Sequence, residues 1–418
     1  MNDLNSKHLL AVDSIQKKLL GKPLTYKEIY NLMDEISNKR LSDVLTTYFV
    51  AASFKKGFTE DELYFLTRAM VETGTKLKFD GIVADKHCIG GIAGSRTTMI
   101  VVPIIAAAGF KIPKTSSRAI TSPAGTADVM ETLADVEFTP EQIHRIVDAV
   151  GGCIVWGGHL GIAPADDTII RVEEPLSFES FDKVIISIMS KKVAVSTNHL
   201  VLDIPVGPTM KVRSMADAER VAAKFKAIAK RFDIKMVVDI NETLEPAGRG
   251  IGPKLEARDV LRVLEQHDER SHDLEAKALR LAGLLLGICY KDSQSDKNGE
   301  AEAQKILKSG AALSKFKEII KAQGGDDNVS SASLKPKSHK LEIYSTRSGK
   351  IKGINNFHLN SVAKILGAPD DKDAGIYLLK KRNEKAEKGD PLFILYSSNI
   401  YRLQEAKVTL SDFQIYET

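Results

Sequence analysis

Between Asp85 and Gly91 the chain reads Asp-Lys-His-Cys-Ile-Gly-Gly, with an apolar stretch before it and an alanine-rich hydrophobic stretch after Thr97 and Thr98. Gly90 and Gly91 at a strand-to-helix turn let backbone N–H groups approach an anion, and a helix start adds its dipole. Lys86 supplies a full charge there, and Thr97 and Thr98 supply hydroxyl donors. The pattern is neither a Walker A loop nor GxGxxG, which disfavours an ATPase or a dinucleotide site. On these residues alone, plain turn chemistry is the equal alternative.

A second candidate is the run from Lys114 to Thr126, which holds Ser117, Arg118, Ala119, Ile120, Thr121 and Ser122. It concentrates hydroxyls and two cations in a loop between helical segments, where α/β proteins carry ligand sites. Ser187 and Lys191 lie four apart and share a helix face; with Arg171 they can donate to carbonyl oxygens, although a solvated face is the simpler reading. Lys211 and Arg213 alternate beyond the Pro205–Pro208 turn. Gly248–Pro253 is a further turn, set before a helix from Glu256 to Glu265. Asp166-Asp167 is the one acidic pair that invites a divalent ion, but such pairs commonly open helices. His144, His199, His267 and His272 show no metal spacing. Cys153, Cys289 and Trp156 sit in apolar contexts and are expected in the core.

These residues need elements to position them. To about residue 75 the apolar positions recur at helical spacing, and Thr25/Glu28 and Thr59/Glu62 are capping boxes. Thr139-Pro140-Glu141-Gln142 is another helix start. From Gly81, short Val/Ile/Leu runs (HLVLDIPVG, KMVVDI) alternate with helical segments, which implies an α/β lobe with a mostly parallel sheet. Residues 292–300 read as a surface loop and 323–340 as a linker. Beyond it, LEIYST, GKIKGI, GIYLLKKR and DPLFILYSS read as strands of a C-terminal β-rich domain.

Composition bounds the rest. The 418 residues contain 43% hydrophobic and 27% charged residues with a net charge of +4, ordinary for a multi-domain globular enzyme and weak support for a nucleic-acid partner. The three cysteines form no disulfide framework and no zinc spacing. Neither a signal peptide nor a spanning segment is evident, so no membrane partner and a cytoplasmic location are expected.

The stretches DKHCIGG, KTSSRAITSPAGTAD, CIVWGG, APADD, SIMSKK and GRGIGPKLEARDVL, in that order, resemble the thymidine phosphorylase/AMP phosphorylase family of pentosyltransferases. The resemblance runs from about residue 5 to the C-terminus. It implies an all-helical lobe (1–77 plus 162–197), an α/β phosphate-binding lobe (78–161 plus 198–335) and a C-terminal β-rich domain (336–418). It also implies a homodimer whose substrates bind between lobes. By the same resemblance Lys86, Gly91, Thr98 and Thr126 hold phosphate. His87, Arg171, Ser187 and Lys191 read the base. Ser117 to Ser122, Thr126, Ser187 and Lys211 contact AMP, and Glu179 takes the place of an aspartate that serves as proton donor. Four departures stand out. Cys88 replaces a serine, the 117–126 loop lacks the usual glycines, Glu179 is one methylene longer than aspartate, and the sequence does not contain the additional N-terminal stretch of AMP phosphorylases, so assembly beyond a dimer stays open at this point.

The activity implied is phosphorolysis of a nucleoside 5′-monophosphate by inorganic phosphate, with no metal and no other cofactor. Phosphate attacks C1′, donors such as His87, Arg171 and Lys191 stabilise the departing base, and His87 or Glu179 completes its protonation. Lys211, Arg213 and Arg118 are the expected cations for the 5′-phosphate. Thymidine phosphorolysis is the near alternative. A magnesium-dependent phosphoribosyltransferase using Asp166-Asp167 and a non-catalytic nucleotide-binding regulator are the remote ones.

Overall fold

A computed structural model describes residues 2–119, 122–173 and 180–417. The chain divides into two compact units, one formed by 1–83, 157–200 and 219–236, the other by 84–156, 201–218 and 237–418.

The first unit is helical. Thr25 and Thr59 each accept the N–H of the third helical residue, and Glu28 and Glu62 return the bond, so Tyr26–Ser37 and Glu60–Glu72 start where the capping boxes lie. Ile29, Leu32, Met33 and Ile36 of the one helix and Leu63, Leu66 and Met70 of the other are buried. Pro164–Glu173 and Phe181–Ala194 belong to the same unit and bear its described candidate site residues.

Ala84–Cys88, His199–Val206 and Lys235–Glu242, which fall in the second unit but for the first two residues of the latter two, form a three-stranded sheet in that order. Ile112–Ser116 pairs in parallel with Gly152–Trp156. His199–Val206 is buried along its whole length, which explains an unbroken apolar run in place of alternation. Thr98–Ala107 is a buried helix despite Pro103. Pro140–Val150 has the expected capping box and ends on Gly151, whose φ of 83° is left-handed.

The C-terminal domain carries an antiparallel sheet in which Pro391–Ser397 lies between Gly375–Leu378 and His339–Tyr344. Gly250–Ile251 pairs with the outer edge of Gly375–Leu378, so the turn at Gly248–Pro253 is built into this sheet. The expected strands are joined by two helices the β-rich reading did not contain, Asn356–Leu366 and Ile400–Thr409. The first had local signals: Asn355 caps it, Leu359, Val362, Ala363 and Leu366 repeat at helical spacing, and Gly367 closes it in a left-handed conformation. Among the described residues, no helix is long and apolar enough to cross a membrane.

Candidate active site

In the second unit the strand Ala84–Cys88 delivers Lys86 into the interior, where it is 2% exposed. Its Nζ donates to Thr97 Oγ1 at 3.0 Å and lies 3.6 Å from Asp203 Oδ2. Lys277 Nζ approaches the other Asp203 oxygen at 3.3 Å, and Asn241 Nδ2 donates to it at 2.8 Å. Two ammonium groups thus face one carboxylate, a largely buried local excess of positive charge. Burial pushes the Lys86 ammonium below the usual lysine range, with Asp203 opposing. Burial also disfavours the Asp203 carboxylate, but Lys86 and Lys277 outweigh it and hold its pKa low.

The glycine turn follows directly. Gly90 and Gly91 have φ of 96° and 85°, which side chains resist, and the Lys211 stem crosses Gly91 with Cγ only 3.2 Å from where a Cβ would stand. Thr98 opens the next helix and is buried. Cys88 is a half-buried thiol, raised in pKa by burial, that hydrogen-bonds to Asp203. A neutral thiol is a weak donor, so it contributes less than a serine hydroxyl would.

The loop after Ile112–Ser116 is folded around one carboxylate. Asp128 Oδ2 accepts the N–H groups of Ala119 at 2.7 Å and Gly125 at 2.8 Å. A Cβ on Gly125 would stand 2.4 Å from the Ser117 carbonyl, so only glycine allows this closure. Ser122 donates to the Ala124 carbonyl, while Ser117 is exposed. Arg118, expected at an anion, has its fork on both Glu131 oxygens at 2.9 and 2.7 Å, reaches Asp128 and Glu137, and lies over Trp156 at 4.7 Å. Bidentate carboxylate geometry suits guanidinium so well that an incoming phosphate must compete with three acids. Trp156, expected in the core, is half-buried because it carries this cation. Thr126 accepts from Arg96 NH1 at 3.2 Å, and Arg96 Nε is paired with buried Glu256 at 2.5 Å.

In the first unit, Asp166 draws Ser187 and Lys191 together. Ser187 Oγ donates to Asp166 Oδ2 at 2.7 Å, Lys191 Nζ reaches the same oxygen at 2.7 Å, and Lys191 Nζ lies 3.2 Å from Ser187 Oγ. Burial disfavours the Lys191 ammonium, yet Asp166 overrides it and raises the pKa. Both side chains are half-buried, so this helix face is a polar cluster and not the solvated surface of the simpler reading. Asp166 serves these donors. Arg171 is directed elsewhere, exposed and forked onto Asp43 at 2.6 and 2.8 Å.

Ile120, Thr121 and Glu179 lie outside the described residues. Sequence reasoning passed over Asp203, Lys277, Asn241, Arg96 and Glu256, for which no local pattern exists. Asp128 had a weak one, an acid three residues after Gly125. His87 and Cys88 follow Lys86 at the end of the strand.

The helical unit thus bears a polar Ser-Lys-Asp cluster, and the other unit a glycine turn that follows a strand carrying a buried lysine. Family models for the helical bundle domain and the a/b domain of a glycosyl transferase family match residues 12–74 and 80–313, and that of the pyrimidine nucleoside phosphorylase C-terminal domain matches 350–414. The chain is 44% identical to the "Putative thymidine phosphorylase" of Methylococcus capsulatus over 93% of this chain and 74% of that relative. It is 41% identical to AMP phosphorylase 1 of Archaeoglobus fulgidus over 95% of this chain and 78% of that one. The crystal structure of anthranilate phosphoribosyltransferase from Thermus thermophilus superposes with a TM-score of 0.63 at 19% identity, covering 75% of this chain and all of that one, a likeness of fold. The chain belongs to this glycosyl transferase family, in its thymidine phosphorylase/AMP phosphorylase branch, and is thus a pentosyltransferase of the phosphorylase type.

Proposed function

We propose that the enzyme cleaves the N-glycosidic bond of a nucleoside 5′-monophosphate with inorganic phosphate, releasing the free base and ribose 1,5-bisphosphate. A phosphate oxygen forms a bond to C1′ as the C1′–N bond breaks, and the bonding pair leaves with the base. Lys86 and Lys277, with Thr98 and the N–H groups of the glycine turn, hold the attacking phosphate. Ser187 and Lys191, oriented by Asp166, donate to the base and stabilise its developing negative charge. His87 supplies the proton that neutralises the base nitrogen.

The observation that carries the monophosphate reading is the Lys211 stem lying across Gly91, so that a further lysine packs on the glycine turn. Exposed Arg213 adds charge two residues on. One observation favours thymidine instead: Arg118, the third cation expected for a 5′-phosphate, is engaged by Asp128, Glu131 and Glu137. Both readings are tested by assaying base release from AMP, CMP, UMP and thymidine in phosphate buffer. Turnover of monophosphates above thymidine is expected. Thymidine cleavage with every monophosphate inert overturns the first reading in favour of the second.

A further inference from the structure

The helix Asn356–Leu366 buries Leu359, Val362, Ala363 and Leu366 in the core of the C-terminal domain. On the same side, four residues apart, it buries two asparagines: Asn356 is 2% exposed and Asn360 8%. Asparagine is a poor helix former and costly to bury, so two on one face call for partners. Those partners belong to the anion turns. Asn356 Nδ2 donates to the Gly91 carbonyl at 2.6 Å, and its Oδ1 accepts the Ala93 N–H at 3.1 Å. Asn360 Nδ2 reaches the same Gly91 carbonyl at 3.3 Å. Asn356 Nδ2 also lies 3.5 Å from the Thr209 carbonyl, two residues before Lys211. Ala93 is itself fully buried in the C-terminal core.

One amide thus spans Gly91 and Ala93 as a strand partner would, and reaches toward the turn that bears Lys211. We infer that Asn356, seconded by Asn360, is a positioning residue for phosphate: the C-terminal helix fixes the left-handed Gly90–Gly91 turn in its anion-binding shape and sets its spacing from Lys211. Left to itself, a double-glycine turn samples many conformations, and the entropy of ordering it would be charged against each binding event. With the two asparagines in place that ordering is complete before phosphate arrives. This inference rests on the proposed role of the glycine turn in binding phosphate.

The test uses the full chain with Asn356→Ala, Asn356→Asp and Asn360→Ala, reading inorganic phosphate binding by calorimetry, phosphate KM, kcat and thermal melting. Asn356→Asp keeps the shape and the acceptor for Ala93 but loses the donor to Gly91. Both Asn356 variants are expected to weaken phosphate about tenfold, with kcat at saturating phosphate within about twofold of wild type. Asn360→Ala, which removes the longer bond only, is expected to cost about threefold and carries the test if the Asn356 variants do not fold. Folded variants with wild-type phosphate affinity overturn the inference. So does a lowered melting temperature with activity falling at unchanged phosphate KM, which marks a merely structural role. A wild-type chain that neither binds nor consumes phosphate overturns the functional reading itself, and this inference with it.

Discussion

Lys191 and Asp166 form an ion pair of 2.7 Å, and Ser187 donates to the same carboxylate oxygen at the same distance. The pair joins two helices of the first unit, Pro164–Glu173 and Phe181–Ala194, and favours the charged ammonium against the opposing effect of burial. Asp166→Asn is expected to remove that support. With burial then opposed by Asp167 alone, the Lys191 pKa falls. The basic limb of the pH–kcat/KM profile moves to lower pH, and kcat/KM at neutral pH drops roughly tenfold to a hundredfold. A profile that overlays wild type denies Lys191 a role as a charged donor.

Lys86→Met preserves the stem and leaves Asp203 paired with Lys277. Phosphate KM is expected to rise roughly tenfold to a hundredfold, the scale of one lost charge-assisted bond. The nucleoside or nucleotide KM should be nearly unchanged. Steady-state titrations of each substrate at fixed excess of the other separate the two.

Lys211→Ala distinguishes the two substrate readings. If its ammonium serves a 5′-phosphate, monophosphate kcat/KM falls about tenfold or more while activity on the matching nucleoside is retained. Equal losses on both assign Lys211 to the attacking phosphate instead.

The Arg118 network gives a pH-dependent stability. Hydrogen bonds from Arg118, and then Lys372, hold the Glu131 pKa at about 2, against a usual value of 4.5. A depressed carboxylate stabilises the fold above its unfolded pKa, and that contribution is lost as pH falls through the folded one. The stability gap between wild type and Glu131→Gln is therefore expected to be constant above about pH 4.5 and to narrow toward about pH 2. Glu131 is about one-third exposed, so screening keeps the gap to the order of 1 kcal/mol. Urea melts across this range measure it. A gap that widens on acidification contradicts the assignment.

Much of the architecture was legible along the chain because its signals are local. Thr25/Glu28, Thr59/Glu62 and Thr139/Gln142 mark helix starts through bonds made within three residues. The Gly90–Gly91 turn announced itself because few other residues accept its φ values. Helix Asn356–Leu366 was equally marked and still read as part of a β-rich run, since the alternating strands around it set the expectation.

What the sequence determined by itself was which residues carry charge, hydroxyls and conformational freedom, and which segments coil or extend. It also carried the family resemblance, since long motifs in order are a property of the chain alone. Partnership was decided only by the tertiary fold. Lys86, Lys277 and Asn241 converge on Asp203 from three distant segments, Asp166 turns a helical Ser-Lys spacing into a cluster, and Arg118 is forked onto neighbouring acids. The reason is physical: capping, turn preference and periodicity act over a few residues, whereas a charge is satisfied by whatever lies within a few ångströms, however far along the chain that partner stands.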